Sequence, residues 1–153
     1  GGHVQSHIKN SKTDKKREGD KDWYITASKP DRPGGITYSS LTFDPPLKDN
    51  EVLISELDQG STNDNLVQCY LQKEPARKLT NLKKVPILIL SAQASYHSPY
   101  DHGTSNFLNQ AGVKHDFLRL EDQNIKGNGH MMMLEKNNHE IADCLLNWMY
   151  SKI

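Results

Sequence analysis

The clearest pattern of apolar and polar residues lies in the second half of the chain. Residues 85–90, VPILIL, form a short continuous apolar run with β-branched side chains, which is typical of a strand buried on both faces of a parallel sheet. The pattern after it predicts a helix over residues 104–111 that Gly112 closes, and then a second short strand over residues 117–120. A last helix is expected to begin near Asn137.

This last predicted helix is amphipathic. Asn137 is placed to cap its first turn, and Glu140 three residues later completes a pair that resembles a capping box. Four apolar side chains then share one face of the helix: Ile141, Leu145, Trp148 and Met149. The order strand, helix, strand, loop, helix predicts an α/β fold in which a right-handed crossover joins parallel strands.

The first half of the chain is less regular. Residues 1–22 are polar and include a run of mixed charge, so we expect a disordered segment. Residues 23–84 are interrupted by prolines and glycines, and we expect them to form an irregular and helical segment that covers the core. Within it, residues 65–79 carry apolar side chains at helical spacing and predict a helix that ends near Pro75. Residues 85–153 remain as the α/β core portion.

Composition excludes several classes of protein. The chain has 153 residues, 35% of them hydrophobic, so one domain is expected and its apolar residues must be concentrated. Nineteen basic residues balance nineteen acidic ones without a basic stripe, which argues against nucleic-acid binding. No apolar run approaches the roughly 18 residues that cross a bilayer, and no apolar secretory leader opens the sequence. Two cysteines without paired spacing indicate a reducing, intracellular compartment.

Both ends of the sequence carry information. Because the first residue is Gly1 rather than methionine, we expect a fragment or a processed piece of a longer protein. The last three residues, Ser151, Lys152 and Ile153, are a close variant of the S-K-L address. On a helix end that leaves them free, they predict a peroxisomal protein with the peroxisomal import receptor as partner, and otherwise a cytoplasmic one. The alternative is a charged tail that ends in isoleucine by chance.

Residues 127–138, GNGHMMMLEKNN, are the most informative stretch for chemistry. His130 lies between small flexible residues, after the second predicted strand and before the last helix. Glycines on both sides allow backbone conformations that turn the imidazole outward at the end of a sheet, where a catalytic base is useful. The alternative is a loop histidine that is hydrogen-bonded to a carbonyl.

With this motif the chain resembles the C-terminal part of the α/β-hydrolase superfamily, and in particular fungal and bacterial esterase-like hydrolases. The resemblance rests on residues 85–112 and 127–149, with weaker support from residues 32–46 and 69–77. It implies a mostly parallel sheet with flanking helices, of which this chain carries the last two strands and the last helix. Family members use a serine, a carboxylate and a histidine in that chain order. His130 matches the catalytic histidine, which takes the proton of the serine hydroxyl and returns it to the leaving alcohol.

The sequence departs from the family pattern in two ways. The G-x-S-x-G motif that carries the nucleophile does not occur in these 153 residues, so the chain alone is expected to be nearly inert toward esters. No carboxylate follows the apolar run within five residues either, and the closer relatives take their acid from an earlier strand. Asp101 is the nearby substitute for the acid, although it is also placed to cap the helix that follows.

A polar aromatic cluster follows the first predicted strand and contains Tyr96, His97, Tyr100, Asp101 and His102. Two histidines beside an aspartate could hold a divalent metal, but their spacing of five matches no common ligand pattern. We therefore expect no metal and no cofactor, and a loop that shapes a substrate pocket. The three methionines after His130 are expected to pack their loop against the sheet, and His115 and His139 to be solvated.

These observations favour a serine-type hydrolase that acts on a carboxylic ester or related small acyl compound, represented here by its C-terminal part. Similar fungal enzymes often belong to secondary-metabolite or toxin pathways, which is an association with the family and not a derivation from the residues. The alternative is a catalytically inactive remnant of the fold that acts as a binding or structural protein.

Overall fold

A computed structural model of the chain describes residues 42–48, 55–58, 66 and 69–153. The elements in chain order are β1 (Ser55–Leu57), β2 (Tyr70–Gln72), a 3₁₀ helix (Thr80–Lys84), β3 (Leu88–Ser91), α1 (Asp101–Gln110), β4 (Asp116–Arg119), two further 3₁₀ helices (Leu120–Gln123 and Met132–Leu134) and α2 (Asn138–Tyr150). The predicted disordered segment, residues 1–22, lies outside the described residues, and the proposed division of the chain into three segments stays a prediction.

The strands β3 and β4 pair in parallel, and α1 connects them. Leu88 lies opposite Asp116 and Ser91 opposite Arg119. Parallel neighbours need a crossover connection, and a helix is the usual one. The predicted strand–helix–strand order is therefore confirmed. The strand predicted over residues 85–90 is β3, and it begins later than predicted. Val85 is 50% exposed, and Pro86 has no N–H to donate to a ladder.

Apolar side chains on both faces of this two-stranded sheet hold α1 and α2. Successive residues of a strand point to opposite faces, so Ile89 packs with the cluster around Phe107 of α1, whereas Leu90 packs with the cluster around Ile141 of α2. The side chains of β3 itself are only half-buried before Ser91, which differs from the strand buried on both faces that the sequence predicts. The two buried clusters are Leu79, Phe107, Leu108, Ala111 and Val113 on one face, and Ala92, Leu120 and Ile141 on the other.

The helix predicted over residues 65–79 is wrong where the structure describes it. Tyr70–Gln72 forms a strand that pairs antiparallel with Ser55–Leu57. Gln72 is 1% exposed, and the side chain of Gln110 accepts a hydrogen bond from its backbone N–H and donates one to its carbonyl. A tertiary partner from α1 therefore fixes an extended backbone, which overrides a short helical pattern.

The capping box predicted at the start of α2 is also wrong. Asn137 occupies the N-cap position but makes no side-chain capping bond. Its amide is used elsewhere, because the side chain of Asn128 donates a 2.6 Å hydrogen bond to it. Of the predicted apolar face, Ile141 is buried and Met149 is 53% exposed.

Two of the three residues that follow α2 contact the fold, whereas the last residue, Ile153, is fully exposed. Ser151 donates a 2.6 Å hydrogen bond from its hydroxyl to the Trp148 carbonyl, and the Lys152 ammonium lies 2.6 Å from the Asp116 carboxylate. The lysine also lies over the Trp148 ring. Neither α2 nor another helix in the described part of the chain combines the length and the apolar character needed to span a membrane.

Candidate functional site

The loop that carries His130 connects β4 to α2 and is fixed at several points. Gly127 adopts a left-handed φ of 78°, which residues with a Cβ avoid. The buried Asn128 accepts a 2.9 Å hydrogen bond from the Ala94 N–H and binds Asn137 with its side chain. Gly129 donates its N–H to the Glu135 carboxylate at 2.9 Å. The motif residues thus hold the loop while leaving the imidazole of His130 exposed.

Three residues of the loop after β3 contact this imidazole. The Ser95 Oγ lies 3.4 Å from Nδ1 of His130. The His97 ring stacks on the His130 ring with centroids 4.5 Å apart and planes 14° apart, and the Tyr96 ring lies 4.6 Å away at a tilt. Both loops follow the carboxyl ends of parallel strands, which is where ligands bind in open α/β sheets.

Asp101, the substitute predicted for the triad acid, approaches His97. Its carboxylate lies 3.6 Å from Nδ1 of His97. The N-cap position of α1 belongs to Tyr100, so Asp101 is the first residue inside the helix and not its cap. Asp101 therefore faces the imidazole that stacks on His130, and acts on His130 itself by its charge.

These neighbours depress the pKa of His130. The pKa is lowered from its usual value first because the ring is partly withdrawn from water and second because of the charge that His97 can carry. The Asp101 carboxylate acts in the opposite direction and raises it. The lowered pKa keeps the imidazole neutral, and thus able to accept a proton, to lower pH than an isolated histidine.

Replacing His97 by glutamine is expected to raise the pKa of His130. Glutamine keeps much of the volume that shields the ring but removes the positive charge beside it, so the charged form of His130 becomes more favourable. An NMR titration of the His130 ring signals measures the change. The exposed His139 supplies the control variant His139→Gln, which should leave the titration in place. An unchanged or lowered pKa in His97→Gln would show that the stacked ring does not act by its charge.

Of the two remaining residues of the polar cluster, Tyr100 lies with its ring 4.8 Å from that of His97, whereas His102 contacts a thiol outside this site. The Nε2 of His102 lies 3.5 Å from the thiol of Cys69, which is fully buried. Burial, with the Asp58 carboxylate as a second cause, raises the pKa of that thiol to about 12, so it stays neutral. In the described residues, no group of three or more histidine, cysteine, aspartate or glutamate side chains is arranged to hold a metal ion.

Two further expectations about side chains are corrected. His115 is not simply solvated, because its Nε2 lies 2.8 Å from the Ser105 hydroxyl. Met131 and Met133 are 55% and 59% exposed, and only Met132 packs against a buried cluster. A 3₁₀ turn places successive side chains on different sides, so three neighbouring methionines cannot all face the sheet.

An apolar groove of about 440 Å³ lies beside the histidine loop, between the 3₁₀ helix Met132–Leu134 and α2. His130 does not line it. The residues that do are Met132, Met133, Asn138, His139, Ile141, Ala142 and Leu145.

Comparison with known proteins gives one informative match. The chain is 44% identical over 123 residues to a protein named probable secreted lipase phiG, from Fungal sp. (strain ATCC 74256). This chain is a partial homologue of that probable lipase. The match covers 77% of the chain but 32% of the lipase, so the chain spans about a third of the length of that relative. No protein-family profile and no solved structure matches the chain. The predicted resemblance is confirmed in its coarse form, a lipase-like α/β chain with two parallel strands and flanking helices.

Proposed function

We propose that this chain supplies the histidine-bearing part of an ester hydrolase of the lipase type. The observation that carries the proposal is the exposed imidazole of His130, held on a fixed loop at the carboxyl end of two parallel strands in a lipase homologue. Its position meets the geometric need of a general base, which must be reachable by substrate and fixed by its surroundings. The 32% coverage of the relative is consistent with a fragment.

In the proposed reaction, His130 takes the proton of a serine hydroxyl as that oxygen attacks the ester carbonyl. It then returns the proton to the oxygen of the leaving alcohol, after which water repeats the cycle to release the acid. Because Nδ1 lies against Ser95, Nε2 is the nitrogen that meets the reacting hydroxyl. The serine comes from sequence outside this chain, since no G-x-S-x-G occurs within its 153 residues.

The name of the relative, a probable lipase, suggests the class of substrate. We infer an ester of a carboxylic acid, with a lipid as the first compound to test. A role in a fungal secondary-metabolite or toxin pathway stays a prediction of the resemblance. The chemistry uses side chains and water alone, with no cofactor in any step.

A chimaeric lipase tests the proposal. In this chimaera, the matching residues of this chain replace the corresponding third of the related lipase. The other two thirds of the chimaera are the lipase's own sequence. We expect hydrolysis of a soluble nitrophenyl ester well above background, because this chain would provide the loop and histidine that the reaction needs.

Two reference proteins make the result interpretable. The related protein without its matched third, and the 153-residue chain by itself, should each give background turnover. A chimaera that folds with a cooperative melt but hydrolyses no ester would contradict the proposal.

The alternative function is that of an inactive remnant which binds a partner or ligand without turnover. The observation that favours it is the absence of a nucleophile motif from the sequence. It predicts a folded but inert chimaera, so the same experiment separates the two functions.

The peroxisomal address stays a prediction. Lys152 is paired with Asp116, so the import receptor would have to displace that contact to bind the terminal residues. The related protein is named as secreted.

A further inference from the structure

Ser95 is the residue whose side chain meets Nδ1 of the His130 imidazole. Its Oγ lies 3.4 Å from that nitrogen, and the serine as a whole is 6% exposed. The backbone N–H of His97 donates a second hydrogen bond to the same oxygen at 3.1 Å. A buried hydroxyl that meets two nitrogens at once is fixed in position, because rotation about its Cα–Cβ bond would break both contacts.

The stacked rings restrict the remaining freedom of His130. His97 lies nearly parallel to the imidazole at 4.5 Å, so it fixes the plane of the ring. Within that plane the ring can still flip by half a turn, which exchanges Nδ1 for a carbon. The hydrogen bond to Ser95 selects the orientation that keeps Nδ1 against the hydroxyl.

The hydrogen-bonding capacity of the hydroxyl decides what this contact does. A serine oxygen has two acceptor sites, and the His97 N–H occupies one of them. If the N–H of Nδ1 occupies the other, Nε2 carries a lone pair and can accept a proton. If the hydroxyl donates to Nδ1 instead, Nε2 carries the proton and cannot act as a base.

We propose that Ser95 is a positioning residue that holds His130 with its proton on Nδ1, in the place that a carboxylate occupies in a Ser-His-Asp triad. The position of this proton and its catalytic meaning rest on the proposed function, whereas the contact between Ser95 and Nδ1 is a property of the folded chain. Asp101 then contacts His130 only indirectly, because its carboxylate faces the His97 ring that stacks on His130.

The burial of Ser95 separates this role from that of a nucleophile. A serine that is 6% exposed and already accepts the His97 N–H offers little access to an ester carbonyl. A hydroxyl that accepts a proton donor at Nδ1 also gains no nucleophilic character, since it is not being deprotonated.

NMR of the nitrogen-15-labelled chain tests the proposal without reference to catalysis. The ring nitrogens of a neutral histidine give different shifts with and without a proton, so the spectrum reports which nitrogen carries it. We expect His130 to hold its proton mainly on Nδ1, and Ser95→Ala to move the majority of the population to Nε2. Ser98→Ala, three residues along the same loop, is the matched control and should leave the signals in place.

The kinetic counterpart uses the chimaeric lipase. Ser95→Ala should lower kcat by about fivefold to tenfold, the equivalent of one neutral hydrogen bond, and leave KM nearly unchanged. A proton on Nε2 in the unsubstituted chain, or the same Nδ1 population in Ser95→Ala, would overturn the positioning role even if the chimaera hydrolyses esters. An inert chimaera with the expected spectra would instead overturn the proposed function and leave the role of Ser95 standing.

Discussion

His130→Ala in the chimaeric lipase is expected to lower kcat for ester hydrolysis by on the order of 10⁴-fold or more. Without the imidazole, the serine hydroxyl keeps its proton at neutral pH and the leaving alcohol receives none, so only binding and oxyanion stabilisation remain. Steady-state kinetics on a soluble ester measure the loss. KM should change little, because the exposed ring contributes to proton transfer rather than to holding the ester.

The exposed His139 again gives the matched control, since His139→Ala removes an imidazole of similar exposure from α2. It should retain turnover close to that of the unsubstituted chimaera. If His130→Ala and His139→Ala hydrolysed the ester equally well, His130 would have no part in the reaction.

Phe107→Ala is expected to lower the free energy of unfolding by about 3–5 kcal/mol. The ring is fully buried between α1 and the sheet, in the cluster that also contains Leu79 and Val113. Its removal leaves a cavity that the flanking side chains cannot fill without moving α1, the helix that begins at Asp101. Urea denaturation followed by circular dichroism measures the change.

The exposed Asn109 of the same helix provides a control, because Asn109→Ala removes a polar side chain without opening a cavity. Its free energy of unfolding should lie within about 0.5 kcal/mol of the unsubstituted value. A loss below about 1 kcal/mol for Phe107→Ala would show that α1 is not packed as the structure describes.

The α/β layer was predictable because each of its elements carries its own periodic signal. The apolar run before Ser91, the helix closed by Gly112 and the amphipathic α2 can each be identified from neighbouring residues alone. The predicted boundaries differ from the observed ones by a few residues, since Val85 has a strand-forming side chain but is exposed and precedes β3.

The errors arise where distant residues decide the local conformation. Tyr70–Gln72 is extended because β1 and the side chain of Gln110 bind its backbone. The sequence of residues 65–79 does not indicate either of these partners. Asn137 fails to cap α2 because Asn128 takes its side chain. Propensity is a weak prior in such places, and the tertiary contact outweighs it.

In the candidate site too, some residues could be predicted from the sequence and others could not. His130 stands out in the sequence because glycines and an asparagine surround it. Ser95 does not, because it lies 35 residues earlier in a loop of ordinary composition, and only the parallel pairing of β3 with β4 brings the two loops together. The role predicted for Asp101 depended on its distance from the imidazole, and no sequence pattern could have placed His97 between them.

The pH dependence of kcat/KM in the chimaeric lipase, measured with and without His97→Gln, tests the central role of His130 most directly. A general base must be neutral to act, so the acid limb of the profile reports its pKa in the free enzyme. We predict that the limb coincides with the His130 pKa measured by NMR and that both move to higher pH in His97→Gln. A limb that stays in place while the NMR pKa of His130 rises would contradict the assignment of this imidazole as the base.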